Sequence, residues 1–274
     1  MNESLKRLLS GVVYVALLII ATSYSATSFY VLFGIFMMIA IYEFCELVTL
    51  KKILPLLFGG FAFYVTTQFQ TTSLTTIALL VATLFVSFKC LFLLFGSKQG
   101  GIDTLSKYIY VIGYVIFPFI LITKIPFSNA DFRPKIIISI FILIWTNDTF
   151  AYIVGKSIGK HKLLEKISPK KTIEGFIGGV LFSIIAGILI SKYYFQPNSN
   201  YLYTSLFIWI TSAVIISVFS TLGDLIESKF KRIAGVKDSG RIMPGHGGIL
   251  DRLDSIIFVA PFVYLFYQIL YYVS

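Results

Sequence analysis

Charge is scarce in this chain. Asp, Glu, Lys and Arg make up 13% of its 274 residues, against roughly 25% in an ordinary soluble domain. Cysteine and histidine number two each. So few ligands exclude a disulfide framework and a Cys/His metal cluster. Cys45 and Cys90 fall inside apolar runs, where a small buried hydrophobe is the expected role. No Ser/His/Asp or Cys/His nucleophile arrangement is evident, and nothing points to a nucleic-acid partner. Hydrophobic residues take up the room instead, at 57% of the chain and a mean hydropathy of +0.86. This is the composition of an integral membrane protein.

A helix crosses a hydrocarbon layer of roughly 30 Å in about 20 residues. The apolar runs then predict an all-α polytopic protein of about nine transmembrane helices, at 7–23, 27–47, 53–69, 73–96, 106–123, 134–155, 173–191, 202–223 and 253–272. The first run, behind Lys6 and Arg7, is read as an uncleaved span rather than a signal peptide, because no small-residue cleavage site follows it. With the N-terminus cytosolic, 18 of the 23 Lys and Arg residues fall on the cytosolic side and four on the opposite side, Lys89 lying within a span. That asymmetry supports N-terminus in and C-terminus out. Spans 1–130 form an N-terminal region of about five helices. Residues 131–274 form a C-terminal transmembrane region, with cytosolic loops expected at 156–172 and 224–254, and this region holds the candidate catalytic residues.

Polar chemistry concentrates in two stretches, Asn147 to Glu174 and Asp224 to Asp254, which hold eight of the 13 acidic residues. Asp224, Glu227 and Ser228 stand at i, i+3 and i+4, one face of a helix end. Asp251 and Asp254 share a face at the start of the last span. Asp148 lies within the sixth span, roughly two turns from its cytosolic end. A carboxylate at that depth is costly unless it has a partner or lines a polar cavity. Such oxygens are what Mg²⁺ takes, one or two carboxylates completed by substrate phosphate and water. The same carboxylates would also serve as interfacial charges neutralised by Arg252, Lys229 and Lys231. Glu43 and Glu46, near the end of the second span, are read as structural partners of a charge such as Lys89.

Lys170, Lys171, Lys231, Arg232, Lys237 and Arg241 suit phosphate groups, Arg by paired hydrogen bonds and Lys as a point charge. Positive-inside topology is the competing account of each. Gly240, Gly245, Gly247 and Gly248, with Pro244, suit an irregular loop whose N–H groups approach an anion closely. His246, inside that cluster, is either a phosphate or ribose contact or an ordinary loop hydrogen-bonder.

The stretch S-K-F-K-R-I-A-G-V-K-D-S-G-R-I-M-P-G-H-G-G-I-L-D-R-L-D, Ser228 to Asp254, resembles the signature of phosphatidate cytidylyltransferases over all 27 positions. The earlier N-D-T-F-A-Y and S-P-K-K-T-I-E-G segments are similar to a second region of that family, with Asn147 where Ser is often found. The first 130 residues match only in being hydrophobic. The resemblance implies a bacterial cytoplasmic-membrane enzyme, homodimeric and facing the cytosol. It would use Mg²⁺, with a monovalent cation such as K⁺ as a second ion. Its substrates would be CTP and phosphatidate, and its products CDP-diacylglycerol and pyrophosphate. Carried over by motif, Asp224 and Asp251 would hold the cation, and Lys231, Arg232, Lys237, Asp238, His246, Arg252 and Asp254 would belong to the surrounding site. The residues themselves add Asp148 as a third cation ligand, Lys171 to the catalytic set, and Lys170, Ser228, Arg241, Gly247 and Gly248 as substrate contacts. A CTP-dependent polyprenol kinase and a membrane transporter are the competing readings. A CDP-alcohol phosphotransferase lacks support because the D-G-x-x-A-R core is absent.

Overall fold

A computed structural model of the protein describes residues 3–69, 72–96, 101–128, 131–195, 202–243, 245 and 247–273. These residues are almost all helical. The elements are α1 (Glu3–Tyr24), α2 (Ala26–Leu47), α3 (Ile53–Gln68) and α4 (Ser73–Phe95). Next comes α5 (Thr104–Tyr110), which runs through a π-helical stretch (Val111–Ile116) into α6 (Phe117–Lys124). The hairpin β1 (Phe127–Ser128) and β2 (Asp131–Phe132) leads to α7 (Pro134–Ile158). A second antiparallel hairpin, β3 (Lys162–Leu164) and β4 (Ser168–Thr172), precedes α8 (Ile173–Leu189), then α9 (Leu202–Ile233) and α10 (Leu250–Val273).

Local chemistry explains where several helices start. Ser25 and Ser28 form a reciprocal capping box at the head of α2, and Thr72 caps α4. Asp103 caps α5 through the Ser106 N–H at 3.0 Å, which holds its carboxyl below the usual range. Pro134 takes the first turn of α7, where its missing N–H costs nothing.

Seven described helical segments are long and apolar enough to cross a membrane. The other two expected spans are helical, but their apolar stretches, Leu9–Tyr24 and Ile53–Gln68, are shorter. The outward surface agrees with a lipid solvent: Phe61, Phe85 and Phe92 are 70%, 69% and 80% exposed. In water so much exposed aromatic surface would drive aggregation.

The second half of the chain forms a close-packed layer in which α7 packs on α8, α8 on α9 and α9 on α10. At the α7–α8 crossing a side chain on Gly179 would come within 2.6 Å of Asn147 Oδ1, so only glycine allows this approach. Helix α10 also packs against α6, α4 and α2. An aromatic knot ties the halves together. Phe230 of α9 meets Phe44 of α2 edge-on at 5.1 Å and Tyr110 of α5 at 5.2 Å.

Two expected boundaries shift. Helix α9 does not end near residue 223 but continues to Ile233, so Lys231 and Arg232, expected in the cytosolic loop, stand on the same helix as Asp224 and Ser228. Lys231 and Arg232 in its last turn complement the helix dipole. The helix ends in a Schellman motif: Gly235 has φ +70°, its N–H reaches Arg232 O at 3.2 Å, and Val236 N–H reaches Lys231 O at 3.0 Å. Helix α7 likewise runs on to Ile158, so Asp148 lies nearly three turns from its end.

Candidate active site

A cavity of about 900 Å³ opens between α1, α7, α9, α10 and the β3–β4 hairpin. One part of its wall is apolar, with Tyr14, Val15, Phe141, Ile144 and Trp145. The other is charged, with Asp148, Lys170, Lys171, Asp224, Asp251, Arg252 and Asp254. Seven residues expected at the site from sequence are therefore brought to one cavity.

Asp148, Lys171, Asp224, Asp251 and Asp254 are each held by identifiable partners. Asn147 is buried on α7; its amide donates to Asp148 Oδ1 at 3.2 Å and to Ser220 Oγ on α9 at 3.1 Å. Lys171 pairs with Asp224 Oδ2 at 2.7 Å, and Ser228, one turn along α9, donates to Asp224 Oδ1 at 3.3 Å. The hairpin that carries Lys170 and Lys171 is pinned at its base. Glu174 accepts the N–H groups of Lys160 and His161 at 3.1 and 3.2 Å and meets His161 Nδ1 at 2.6 Å. Thr172 caps α8 beside it.

Asp251 is the most heavily bonded group of the set. Its Oδ1 accepts Lys231 Nζ at 2.7 Å. Its Oδ2 accepts Ser239 N–H and Ser239 Oγ, each at 2.9 Å, and Gly248 N–H at 2.8 Å. Lys231 also pairs with Glu227 one turn back on α9. Gly247 has φ +88°, and a side chain there would stand 2.5 Å from Asp251 Oδ2. A glycine is required on both counts. Asp254, buried one turn further along α10, accepts the Ser255 N–H at 2.7 Å and lines the same cavity as Asp224 and Asp148.

The signature stretch is divided by this geometry. Lys237, Asp238 and Arg241 line a second cavity of about 1230 Å³, with Tyr42, Thr49 and Phe230. Ser239 lines it too and turns its hydroxyl to Asp251, so it joins the two cavities. Arg232 donates from Nε to Ile167 O at 3.3 Å, across to the hairpin. His246 lies outside the described residues. Glu43 and Glu46 do not partner Lys89, which donates to Ser106 Oγ at 3.2 Å. Glu46 instead pairs with Lys52 at 3.6 Å, and Glu43 accepts the N–H groups of Ile249 and Leu250. Sequence reasoning also passed over Ser239 and Lys162, a lining residue of the first cavity. Ser239 carried one signal, its place between an Asp and a Gly in the signature.

The donor set suits a hard cation. Asp148, Asp224 and Asp251 face one cavity with oxygen ligands, the kind Mg²⁺ prefers. Among the described residues no three Asp, Glu, His or Cys side chains close on a common point. That fits an ion completed by substrate phosphate and water rather than one caged by protein alone.

A description of the cytidylyltransferase family matches this chain from residue 5 to residue 270. The chain belongs to that family. It is similar to the phosphatidate cytidylyltransferase of Staphylococcus aureus (strain COL), 54% identical over 123 residues, 44% of each chain. The phosphatidate cytidylyltransferase of Staphylococcus haemolyticus (strain JCSC1435) is 53% identical over 121 residues, again 44% of each. That of Staphylococcus epidermidis (strain ATCC 12228 / FDA PCI 1200) is 49% identical over 127 residues, 46% of each. The matched stretch thus spans less than half the length of these relatives.

Proposed function

We propose that this chain transfers the cytidylyl group of CTP to phosphatidate, giving CDP-diacylglycerol and pyrophosphate. One observation carries the reading: a single cavity has an apolar wall from α1 and α7 and a charged wall of carboxylates, Lys and Arg. A lipid phosphate needs both, since its acyl chains must stay with Trp145 and Phe141 while its head meets Lys171 and Arg252. The names of the relatives and the 228–254 signature support the same assignment.

A phosphate monoester has a second pKa near about 6, so at neutral pH phosphatidate is already an anionic nucleophile. No base is needed to deprotonate it. A phosphatidate oxygen attacks the α-phosphorus of CTP as the bond from that phosphorus to the α–β bridging oxygen breaks. Pyrophosphate leaves with the electron pair. The obstacle is bringing two anions together, and Lys170, Lys171 and Arg252 lower it by positioning and charge. Asp224, Asp251 and Asp148 would hold Mg²⁺, which supplies charge neutralisation on the phosphates. Asp251 keeps acceptor capacity for this at Oδ1, which accepts only Lys231, whereas Oδ2 is taken by Ser239 and Gly248. Lys237, Asp238 and Arg241 act from the second cavity on the nucleotide's approach. Ser228 and Gly248 act by holding Asp224 and Asp251.

Nine spans, a cytosolic site in a bacterial cytoplasmic membrane, K⁺ as a second cation and a homodimer belong to the same proposal. The Lys/Arg asymmetry supports the orientation.

Labelled CTP tests the reaction against the kinase alternative. With purified protein, Mg²⁺ and phosphatidate, label at the α-phosphorus is expected in chloroform-soluble lipid, and label at the γ-phosphorus in water. Lipid carrying γ-label and not α-label would replace this reading with a polyprenol-kinase reaction, once polyprenol is offered. No labelled lipid from any acceptor would favour transport.

A further inference from the structure

Glu43 sits on α2, in the half of the chain where no motif stood out, and it lines neither cavity. Its side chain is only 2% exposed. Oε1 accepts the N–H of Ile249 at 3.1 Å and Oε2 the N–H of Leu250 at 2.8 Å. Those N–H groups open α10, where no intrahelical carbonyl is available to them, and a carboxylate there also meets the positive end of the helix. The signature loop closes on the same group from both ends. A side chain on Gly240 would overlap Oε1, and one on Gly248 would come within 2.5 Å of either oxygen. The next residue, Phe44, is wedged against Phe230 of α9, which fixes α2 relative to the helix bearing Asp224 and Lys231.

Two consequences follow for the charged cavity. Gly248 donates to Asp251 through its own N–H, so whatever fixes Gly248 fixes that bond. Asp251, Arg252 and Asp254 occupy the first turns of α10, so the angle at which α10 starts sets where all three point. We propose that Glu43 is a positioning residue for the transfer reaction. It anchors Gly240, Gly248 and the head of α10, and thereby aims Asp251 and Arg252 into the cavity without touching substrate. This rests on the cytidylyl-transfer reading, and it gives the N-terminal helices a share in the site.

The test compares wild type with Glu43→Gln in detergent by two readouts. Hydrogen exchange of peptides covering 240–252 reports the anchor, because an amide in place of the carboxylate turns a donor toward a backbone N–H. Steady-state transfer from α-labelled CTP reports the positioning. Exchange in that segment is expected to speed up, and kcat to fall about 30-fold, the order expected on losing a hydrogen bond to a charged group. KM for CTP and for phosphatidate is expected to stay within about threefold, since Glu43 itself lines neither cavity. A purely structural role would instead lower the amount of folded enzyme and leave kcat per folded molecule unchanged, which would overturn the proposal. Unaltered exchange at 240–252 would also overturn it. Should Glu43→Gln not fold, Glu43→Asp, which keeps the charge one methylene shorter, is expected to show the same split in smaller measure; wild-type exchange and kcat there would overturn it. A wild-type protein that makes no CDP-diacylglycerol would refute the assigned reaction, and the exchange experiment would still decide the anchor.

Discussion

Lys231 and Lys171 each form an ion pair with an aspartate at 2.7 Å, and replacing each by Met is expected to have opposite consequences. The difference lies in burial. Lys231 is 14% exposed, and its partners Glu227 and Asp251 are 1% and 6% exposed. Methionine keeps most of the apolar stem but leaves two buried carboxylates with no counter-charge. Breaking a buried pair from one side costs about 3–5 kcal/mol. At about 2–4 °C per kcal/mol for chains of this size, the unfolding midpoint should fall by about 10 °C. Lys171 and Asp224 are 27% and 39% exposed, and pairs so open to solvent are worth about 0–1 kcal/mol. Lys171→Met should therefore shift the midpoint by at most about 4 °C, while turnover falls about 10²-fold through loss of a phosphate clamp. Cys45 and Cys90 supply the assay, because both are free and fully buried and become reactive to a thiol dye only on unfolding. Equal midpoint shifts for the two variants would refute the burial argument. Wild-type turnover in Lys171→Met would remove Lys171 from the site.

Asp224→Asn and Asp251→Asn are each expected to lower transfer by at least about 10²-fold with Mg²⁺ in excess, measured as label in lipid. Exhaustive removal of divalent cations should stop turnover, and full activity in excess EDTA would refute the Mg²⁺ assignment. Gly247→Ala should cost about 1–3 kcal/mol of stability from its left-handed φ and disturb Asp251 besides. A melting curve and turnover both at wild-type values would contradict the cramped geometry around Asp251. Single cysteines at 162 and 237, in a background without Cys45 and Cys90, should react with impermeant maleimide only from the cytosolic side; labelling from opposite faces would separate the two cavities across the bilayer.

The residues legible in the sequence were those whose partners lie within a turn or two of helix. The i, i+4 spacing of Asp224 and Ser228 predicts their contact, and it is made. The depth of Asp148 in an apolar run predicts a polar cavity, and Asp148 lines one. Hydropathy misjudged the end of α9 because it measures affinity for lipid and not helix formation. The segment from Asp224 to Ile233 is too polar for hydrocarbon yet helical throughout, held by the Glu227–Lys231 pair one turn apart.

What stayed hidden depends on contacts between distant parts of the chain. Lys237 and Arg241 lie in the same signature as Asp251, and nearness in sequence suggests one phosphate cluster. The Schellman turn at Gly235 reverses the chain, and Ser239 is then drawn to Asp251. Its neighbours Asp238 and Arg241 line the far cavity instead. Glu43 is the clearest case. An acid on an apolar helix needs a partner, and sequence suggests a side-chain charge such as Lys89. The partners are backbone N–H groups 206 and 207 residues away, which carry no side-chain signature at all. The trace in sequence is indirect: Gly240 and Gly248 are small because a carboxylate occupies the space beside them. Glycines in a motif rich in Lys and Arg invite an anion-binding reading, and here two of them pack against an anion that the protein itself supplies.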